Sequence, residues 1–206
     1  MPAEITGFDH DRSPSCWEDI PGWFGWREGQ YEAVRTLPSG SRFVEVGVFL
    51  GRSLCSLGDV VRASGRKFAV TGVDTCRGSG PEGRRQVNAH GPAVDRGGGT
   101  FAGELHRNIL ACGLESTVQL VIADSVSAAG IFADNSVAWV HIDARHDYDS
   151  VKADIEAWMP KVTAGGWLSG DDFMPDAWPG VVAAVSDCLP DANPWCSGQW
   201  RWLKPA

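Results

Sequence analysis

An α/β fold built on a doubly wound, mostly parallel sheet is predicted by three features of this chain. Short β-branched runs alternate with stretches of helical period. That is the pattern of β-α-β units, whose right-handed crossovers place helices on both faces of one sheet. A glycine turn, Glu45-Val46-Gly47-Val48-Phe49-Leu50-Gly51, closes the first run and opens the helix after it. Two later runs, Val140-His141-Ile142-Asp143 and Gly166-Trp167-Leu168-Ser169-Gly170-Asp171-Asp172, stop abruptly at carboxylates. Neighbouring parallel strands that end this way set their acids side by side at the carboxyl edge, where ligands bind. With 206 residues, 43% hydrophobic and 21% charged, the chain reads as one domain over 1–206 with a substantial core.

The elements follow in order. Residues 1–40 hold an N-terminal helical segment, read over 16–37 and interrupted at Pro21-Gly22, with Trp23, Phe24 and Trp26 as its apolar surface. Pro38-Ser39-Gly40 turns into a strand over 42–48. Leu54, Leu57 and Val61 recur at helical spacing over 52–63, and a second strand over 68–73 ends at Asp74. Residues 75–100 are rich in Gly, Arg and Pro and have no apolar period. A connection of that length reads as a binding lid or as a linker. Phe101, Leu105 and Ile109 carry a helix over 101–111, closed by Gly113. A strand over 118–122 runs to Asp124-Ser125, and another spans 137–142. Val151, Ile155, Trp158 and Met159 share one face of a helix over 149–159, which Pro160 ends. A strand over 166–169, a helix over 179–189 and a strand over 198–203 complete the chain.

The formal net charge of −8 speaks against polyanionic partners, which are bound through Lys and Arg. No run reaches the roughly 18 apolar residues of a membrane span, and the first residues lack the features of a signal peptide. The six cysteines, Cys16, Cys55, Cys76, Cys112, Cys188 and Cys196, contain no C-x-x-C pair. They read as reduced, mostly buried thiols rather than zinc ligands, which fits a cytoplasmic protein. The ten tryptophans have two readings: core packing, or an aromatic platform for a flat ligand such as a sugar ring. The large apolar inventory also leads us to expect a homodimer.

Asp143, Asp171 and Asp172 together make a hard-cation site suited to Mg²⁺; alternatively Asp171-Asp172 caps a helix or solvates a loop. Gly47 permits a tight turn and Gly51 a close approach of backbone to ligand. The wide glycine spacing and the strand-end Glu45 disfavour a dinucleotide pyrophosphate cradle. Asp74, ending the next strand, is placed to accept both hydroxyls of a ribose, or else to serve as a capping carboxylate. His146, three residues past Asp143, suits a general base, or is a structural histidine bonded to a carboxylate. His141, within a strand, reads as packed, and His90 as a residue of the 75–100 loop.

Taken together these residues resemble a class I S-adenosylmethionine-dependent methyltransferase. More narrowly, they resemble the Mg²⁺-dependent O-methyltransferases of sugars, the group of the macrocin and noviose enzymes. The resemblance runs from Ile20-Pro21-Gly22-Trp23 through Phe43-Val44-Glu45-Val46-Gly47, Val73-Asp74 and Asp124-Ser125. It is most specific in Ile142-Asp143-Ala144-Arg145-His146-Asp147-Tyr148 and the helix after it, and closes with Gly165-Gly166-Trp167 and Gly170-Asp171-Asp172. Family members usually carry Gly and Asp where this chain has Ala144 and Arg145, which removes one acidic base candidate and shifts weight to His146. The small size also resembles mycobacterial-type mannoside 1-O-methyltransferases.

The resemblance implies a Rossmann-like sheet of seven strands and two cofactors, S-adenosylmethionine and Mg²⁺. It implies that Glu45 and the Gly47 turn hold the methionine end, Ser53 its carboxylate, and Asp74 the ribose. Asp124 and Ser125 would flank the adenine, and Asp143 would stand at both cofactor and metal, beside Asp171 and Asp172. The acceptor would be a hydroxyl of a sugar or glycoside. A catechol-type O-methyltransferase, which usually has Asn where Asp172 stands, is the second reading. A non-catalytic cofactor-binding module is the third, and the intact acid triad argues against it.

Overall fold

The computed structural model describes residues 13–79 and 90–205. Seven strands form one sheet: β1 (Arg42–Val46), β2 (Ala69–Asp74), β3 (Val118–Ile122), β4 (Val137–Ile142), β5 (Val162–Gly170), β6 (Asn193–Trp195) and β7 (Gln199–Leu203). Their spatial order is β3-β2-β1-β4-β5-β7-β6. β1 to β5 are parallel, and the β6–β7 hairpin joins β5 antiparallel. The order reverses between β1 and β4, so the crevice of the doubly wound sheet lies beyond their carboxyl ends. This is the predicted fold.

Among the described residues, seven α-helices flank the sheet: α1 (Arg27–Thr36), α2 (Arg52–Ser64), α3 (His90–Arg96), α4 (Ala102–Ala111), α5 (Ser125–Ala129), α6 (Tyr148–Trp158) and α7 (Pro179–Cys188). On one face Phe43, Trp139 and Trp167 pack with residues of α1, α2 and α4 around Trp26, Leu54 and Leu105. On the other, Val44, Val140 and Leu168 pack with residues of α5, α6 and α7 around Ile155, Trp158 and Val185. Most tryptophans are core material. Trp26, Trp139, Trp167 and Trp195 meet edge to face at centroid distances of 5.7–6.4 Å, a favoured aromatic geometry.

Several boundaries differ from expectation. The first strand stops at Val46 because Gly47 turns at φ +83°. The N-terminal segment splits at Pro21-Gly22 into a single 3₁₀ turn, Trp17–Asp19, and α1. Part of the expected 75–100 loop is helical: α3 buries Ala93 against the core. Gly91 and Pro92 hide its period, yet proline is tolerated in a first turn, where its missing N–H has no partner to lose. Residues 80–89 of that loop lie outside the described residues. β5 is longer than predicted because it continues back through Gly165-Gly166 to Val162. α5 went unpredicted, being too short to show a period, as did the three-residue β6. All six cysteines are free, but only Cys55 and Cys76 are buried, whereas Cys16 and Cys196 are exposed. No helix among the described residues is long and apolar enough to cross a membrane.

Candidate active site

Strand register assembles the site. Gly72, Glu45, His141 and Ser169 lie side by side across β2, β1, β4 and β5. The parallel ladder continues one row outward: Gly47 N–H donates to Val73, Asp143 N–H to Val46 and Asp171 N–H to Ile142. Asp74, Gly47, Asp143 and Asp171 therefore share the carboxyl edge.

Gly47 joins the two halves of this edge. A Cβ on it would lie 1.9 Å from the Asp143 carbonyl oxygen and 2.7 Å from Ala144 Cα, so only glycine lets the turn close on β4. Gly51 has φ +91°, and its missing Cβ would lie 2.8 Å from Leu105 Cδ1. Its missing side chain makes room for α4.

Glu45 is buried. Its Oε1 accepts from Ser53 Oγ, and its Oε2 has no partner among the described residues. Burial pushes its pKa up to about 8, although the Ser53 hydrogen bond acts the other way. A buried, unpartnered carboxylate oxygen suits an ammonium group, which would supply both hydrogen bond and charge. Ser53, expected at a cofactor carboxylate, turns its hydroxyl to Glu45, and its carbonyl accepts from Gln30 Nε2 at 2.9 Å.

Asp74 is already well occupied. Its Oδ2 accepts from the N–H groups of Val48 and Phe49, both at 2.9 Å, and Oδ1 from Cys76 at 2.7 Å. Burial raises its pKa against those three hydrogen bonds. In this arrangement it fastens the glycine turn to β2. Asp124 is exposed and N-caps α5, accepting from Val126 at 3.1 Å and Ser127 at 3.3 Å. Ser125 Oγ accepts from Trp158 Nε1 at 2.9 Å.

The acids beyond β4 and β5 are different. One ligand atom each from Asp143, His146 and Asp172 fall within 4.8 Å of one another. They line a recess of about 230 Å³ with Asp171, Arg145 and Trp200. Burial, with Asp171 and Asp172 close by, holds the Asp143 carboxyl well above the usual range. Burial and Asp172 raise Asp171 to about 6. Asp171 Oδ1 accepts from Gln199 Nε2 at 2.7 Å and from Asp172 N–H at 2.8 Å. The closest trio thus contains His146 where the sequence pointed to Asp171, and Asp171 stands beside it. Crowded acids with raised pKa values are the electrostatic mark of a cation site. The two carboxylates fit a hard divalent ion, and the imidazole stands beside them.

His146 is held on two sides. Its Nε2 lies 2.8 Å from Asp172 Oδ2, and its ring stacks on Trp178 at 4.0 Å. Arg145, at the wall of the recess, pairs with Asp147 at 2.7 Å, the residue that N-caps α6. His141 is packed as expected. Its ring lies 3.9 Å from Trp26 and its Nδ1 2.9 Å from Ser169 Oγ, and burial lowers its pKa to about 3. His90 starts α3 and packs on Phe49 at 4.5 Å and Trp23 at 6.0 Å. Burial lowers its pKa, and the nearby His146 acts in the same direction.

Gln199 and Trp178 were missed by sequence reasoning. Gln199 reaches Asp171 only through the antiparallel pairing of β7, and Trp178 reaches His146 only because α7 packs on α6. No local motif signals either contact.

A family described as a methyltransferase domain matches residues 44–173. No curated protein matches the chain. Among solved structures, the O-methyltransferase NovP is similar, with TM-score 0.66 and 19% identity over 87% of this chain and 79% of that one. A calicheamicin methyltransferase, CalS11, aligns with TM-score 0.59 and 20% identity over 86% of this chain and 76% of that one. A putative caffeoyl-CoA O-methyltransferase from Staphylococcus aureus has TM-score 0.60 and 13% identity, over 91% and 87% of the two chains.

Proposed function

Given that this chain belongs to the methyltransferase-domain family, as an S-adenosylmethionine-dependent enzyme of class I, we propose that it transfers the methyl group to a hydroxyl of a sugar or glycoside, with Mg²⁺ bound at the carboxyl edge. The observation that carries this reading is the Asp143–His146–Asp172 trio set directly against the Gly47 turn. A base and a cation site thereby adjoin the cofactor turn. The sugar class draws support from the likeness to CalS11, described in its apo form as a TDP-rhamnose 3'-O-methyltransferase; a mannoside is one acceptor to try.

Each residue has a task. Glu45 offers its unpartnered Oε2 to the ammonium of the cofactor's methionine end. S-adenosylmethionine supplies an electrophilic methyl on sulfonium. Asp143 and Asp172 would hold the divalent cation, with Asp171 completing the acidic wall; the ion's charge lowers the pKa of a bound hydroxyl. A sugar hydroxyl is a weak nucleophile at neutral pH, so removing its proton matters. His146 takes that proton as the oxygen attacks. Asp172, 2.8 Å from Nε2, stabilises the imidazolium that results, and Trp178 keeps the ring from rotating.

The test is turnover of labelled S-adenosylmethionine with glycosides, mannosides and catechols, in EDTA and then in Mg²⁺. We expect methylated glycoside that disappears in chelator and returns with Mg²⁺. Product from catechols alone would redirect the acceptor assignment, and full activity in EDTA would remove the cation from it.

A further inference from the structure

A second cavity, of about 240 Å³, is lined by Cys16, Trp17, Cys55, Asp59, Arg62 and Cys112, among others. Cys55 lies in the first turn of α2, just past the glycine turn, and its N–H donates to Gly51 at 2.8 Å. Cys112 is the C-cap of α4. Fifty-odd residues apart in sequence, their thiols hydrogen-bond each other. Arg62 Nη1 donates to the Cys112 carbonyl at 3.1 Å, which keeps a guanidinium beside that residue. Cys55 is buried, while Cys112 is only half-buried.

The two thiols are therefore unequal. The hydrogen bond from Cys55 draws the Cys112 thiol down, and Arg62 adds to this. The same bond and burial hold Cys55 up, in its protonated form. A half-buried thiol of lowered pKa, in contact with a buried thiol at the edge of a cavity, is how an oxidant-sensing cysteine and its resolving partner are arranged.

We propose that Cys112 and Cys55 form a hydroperoxide-sensitive pair that closes reversibly to a disulfide bridging α4 to α2. The Cys112 thiolate attacks one peroxide oxygen and the O–O bond breaks. Sulfur is oxidised to a sulfenic acid, and the other oxygen leaves as water from hydrogen peroxide, or as an alcohol from an organic peroxide. The Cys55 sulfur then attacks the Cys112 sulfur, the S–O bond breaks, and the departing hydroxide leaves as water with the Cys55 proton. Two thiols and one hydroperoxide give one disulfide.

The experiment treats the whole chain with a slight excess of hydrogen peroxide, blocks remaining thiols with N-ethylmaleimide and maps peptides without reduction. The expected product is a Cys55–Cys112 linked peptide, two hydrogens lighter than the separate peptides and lost on adding dithiothreitol. Cys55→Ser should leave a sulfenic acid on Cys112 that dimedone traps, and Cys112→Ser should leave Cys55 a free thiol. Linkage of Cys16 to Cys112, or oxidation of Cys16 and Cys196 while Cys55 and Cys112 stay reduced, would overturn the proposal. The wild-type map decides the matter even if a variant folds poorly.

Discussion

The acids of the carboxyl edge fall into two groups that the fold treats in opposite ways. Asp74, beside the glycine turn, is answered by the main chain: three backbone N–H groups converge on its carboxylate. Asp143, Asp171 and Asp172, on the far side of β1 at the ends of β4 and β5, mostly face one another, with His146 and Gln199 at their side. Backbone donors neutralise a buried carboxylate wherever it sits, so the first arrangement builds a turn. Mutual repulsion costs stability unless a cation relieves it, so the second arrangement makes sense as a binding site. The contrast explains why Asp171 is lifted to about 6 by burial and an acidic neighbour. Glu45 falls between the groups, with one oxygen answered and the other not.

The sharpest way to break this contrast is to remove the base. His146→Ala should lower kcat by roughly 10²–10⁴, the usual contribution of a positioned base, and flatten the acid limb of the pH–rate profile. Melting temperature and cofactor affinity should hardly move. A variant with normal folding and near-normal kcat would strip His146 of that role and leave the cation site standing.

Gln199 probes the acidic wall one step back. Gln199→Ala frees Asp171 Oδ1 from its amide donor. The Mg²⁺ concentration for half-maximal rate should rise by about 10–100-fold, as when a partner of a metal-site residue is lost. Titration of rate against Mg²⁺ reads this, and an unchanged midpoint would confine Gln199 to packing.

Asp74→Ala separates a turn fastener from a ribose ligand. As a fastener, it should cost about 2–3 kcal/mol of stability in denaturant melts without ligand, because three buried donors lose their acceptor. As a ribose ligand only, the apo protein should keep its melting temperature while calorimetry shows weaker cofactor binding.

Asp154 lies outside both groups and gives the smallest effect. It is buried on α6, and burial raises its pKa to about 6 even with a hydrogen bond from Ser125. A carboxyl whose folded pKa is raised favours folding while protonated. Its contribution is full below the unfolded pKa near 4 and is lost as pH rises to about 6. Asp154→Asn should therefore flatten stability across that interval and gain about 1–2 kcal/mol at pH 7. Parallel melting curves for variant and parent from pH 4 to 7 would refute it.

Much of this could be read from the chain, and the limits have physical causes. The parallel strands and the helices α2, α4, α6 and α7 announce themselves because their apolar period is long enough to see. Gly47 and the strand-end acids were legible because a turn and a carboxylate at a strand end are local events. α3 was hidden by Gly91 and Pro92, and α5 by its five-residue length. The family resemblance also put Asp124, Ser125 and Asp74 near a ligand, but it could not show that Val126, Trp158 and the Val48–Phe49 backbone already engage them. Those partners are fixed by tertiary packing. The same holds for Arg145, whose sequence position is inside the acidic motif while its guanidinium serves the cap of α6.

Gly47 has one more consequence. The missing side chain is the shared wall between the cofactor turn and the acidic edge, since any carbon added there would strike the Asp143 carbonyl. The two halves of the site are therefore not modular. A displacement that widens one must move the other, so the shape of the glycine turn and the spacing of the acidic trio are coupled. A change of shape would have to come from the outer side, at Trp178 against His146, because the inner wall has no room to give.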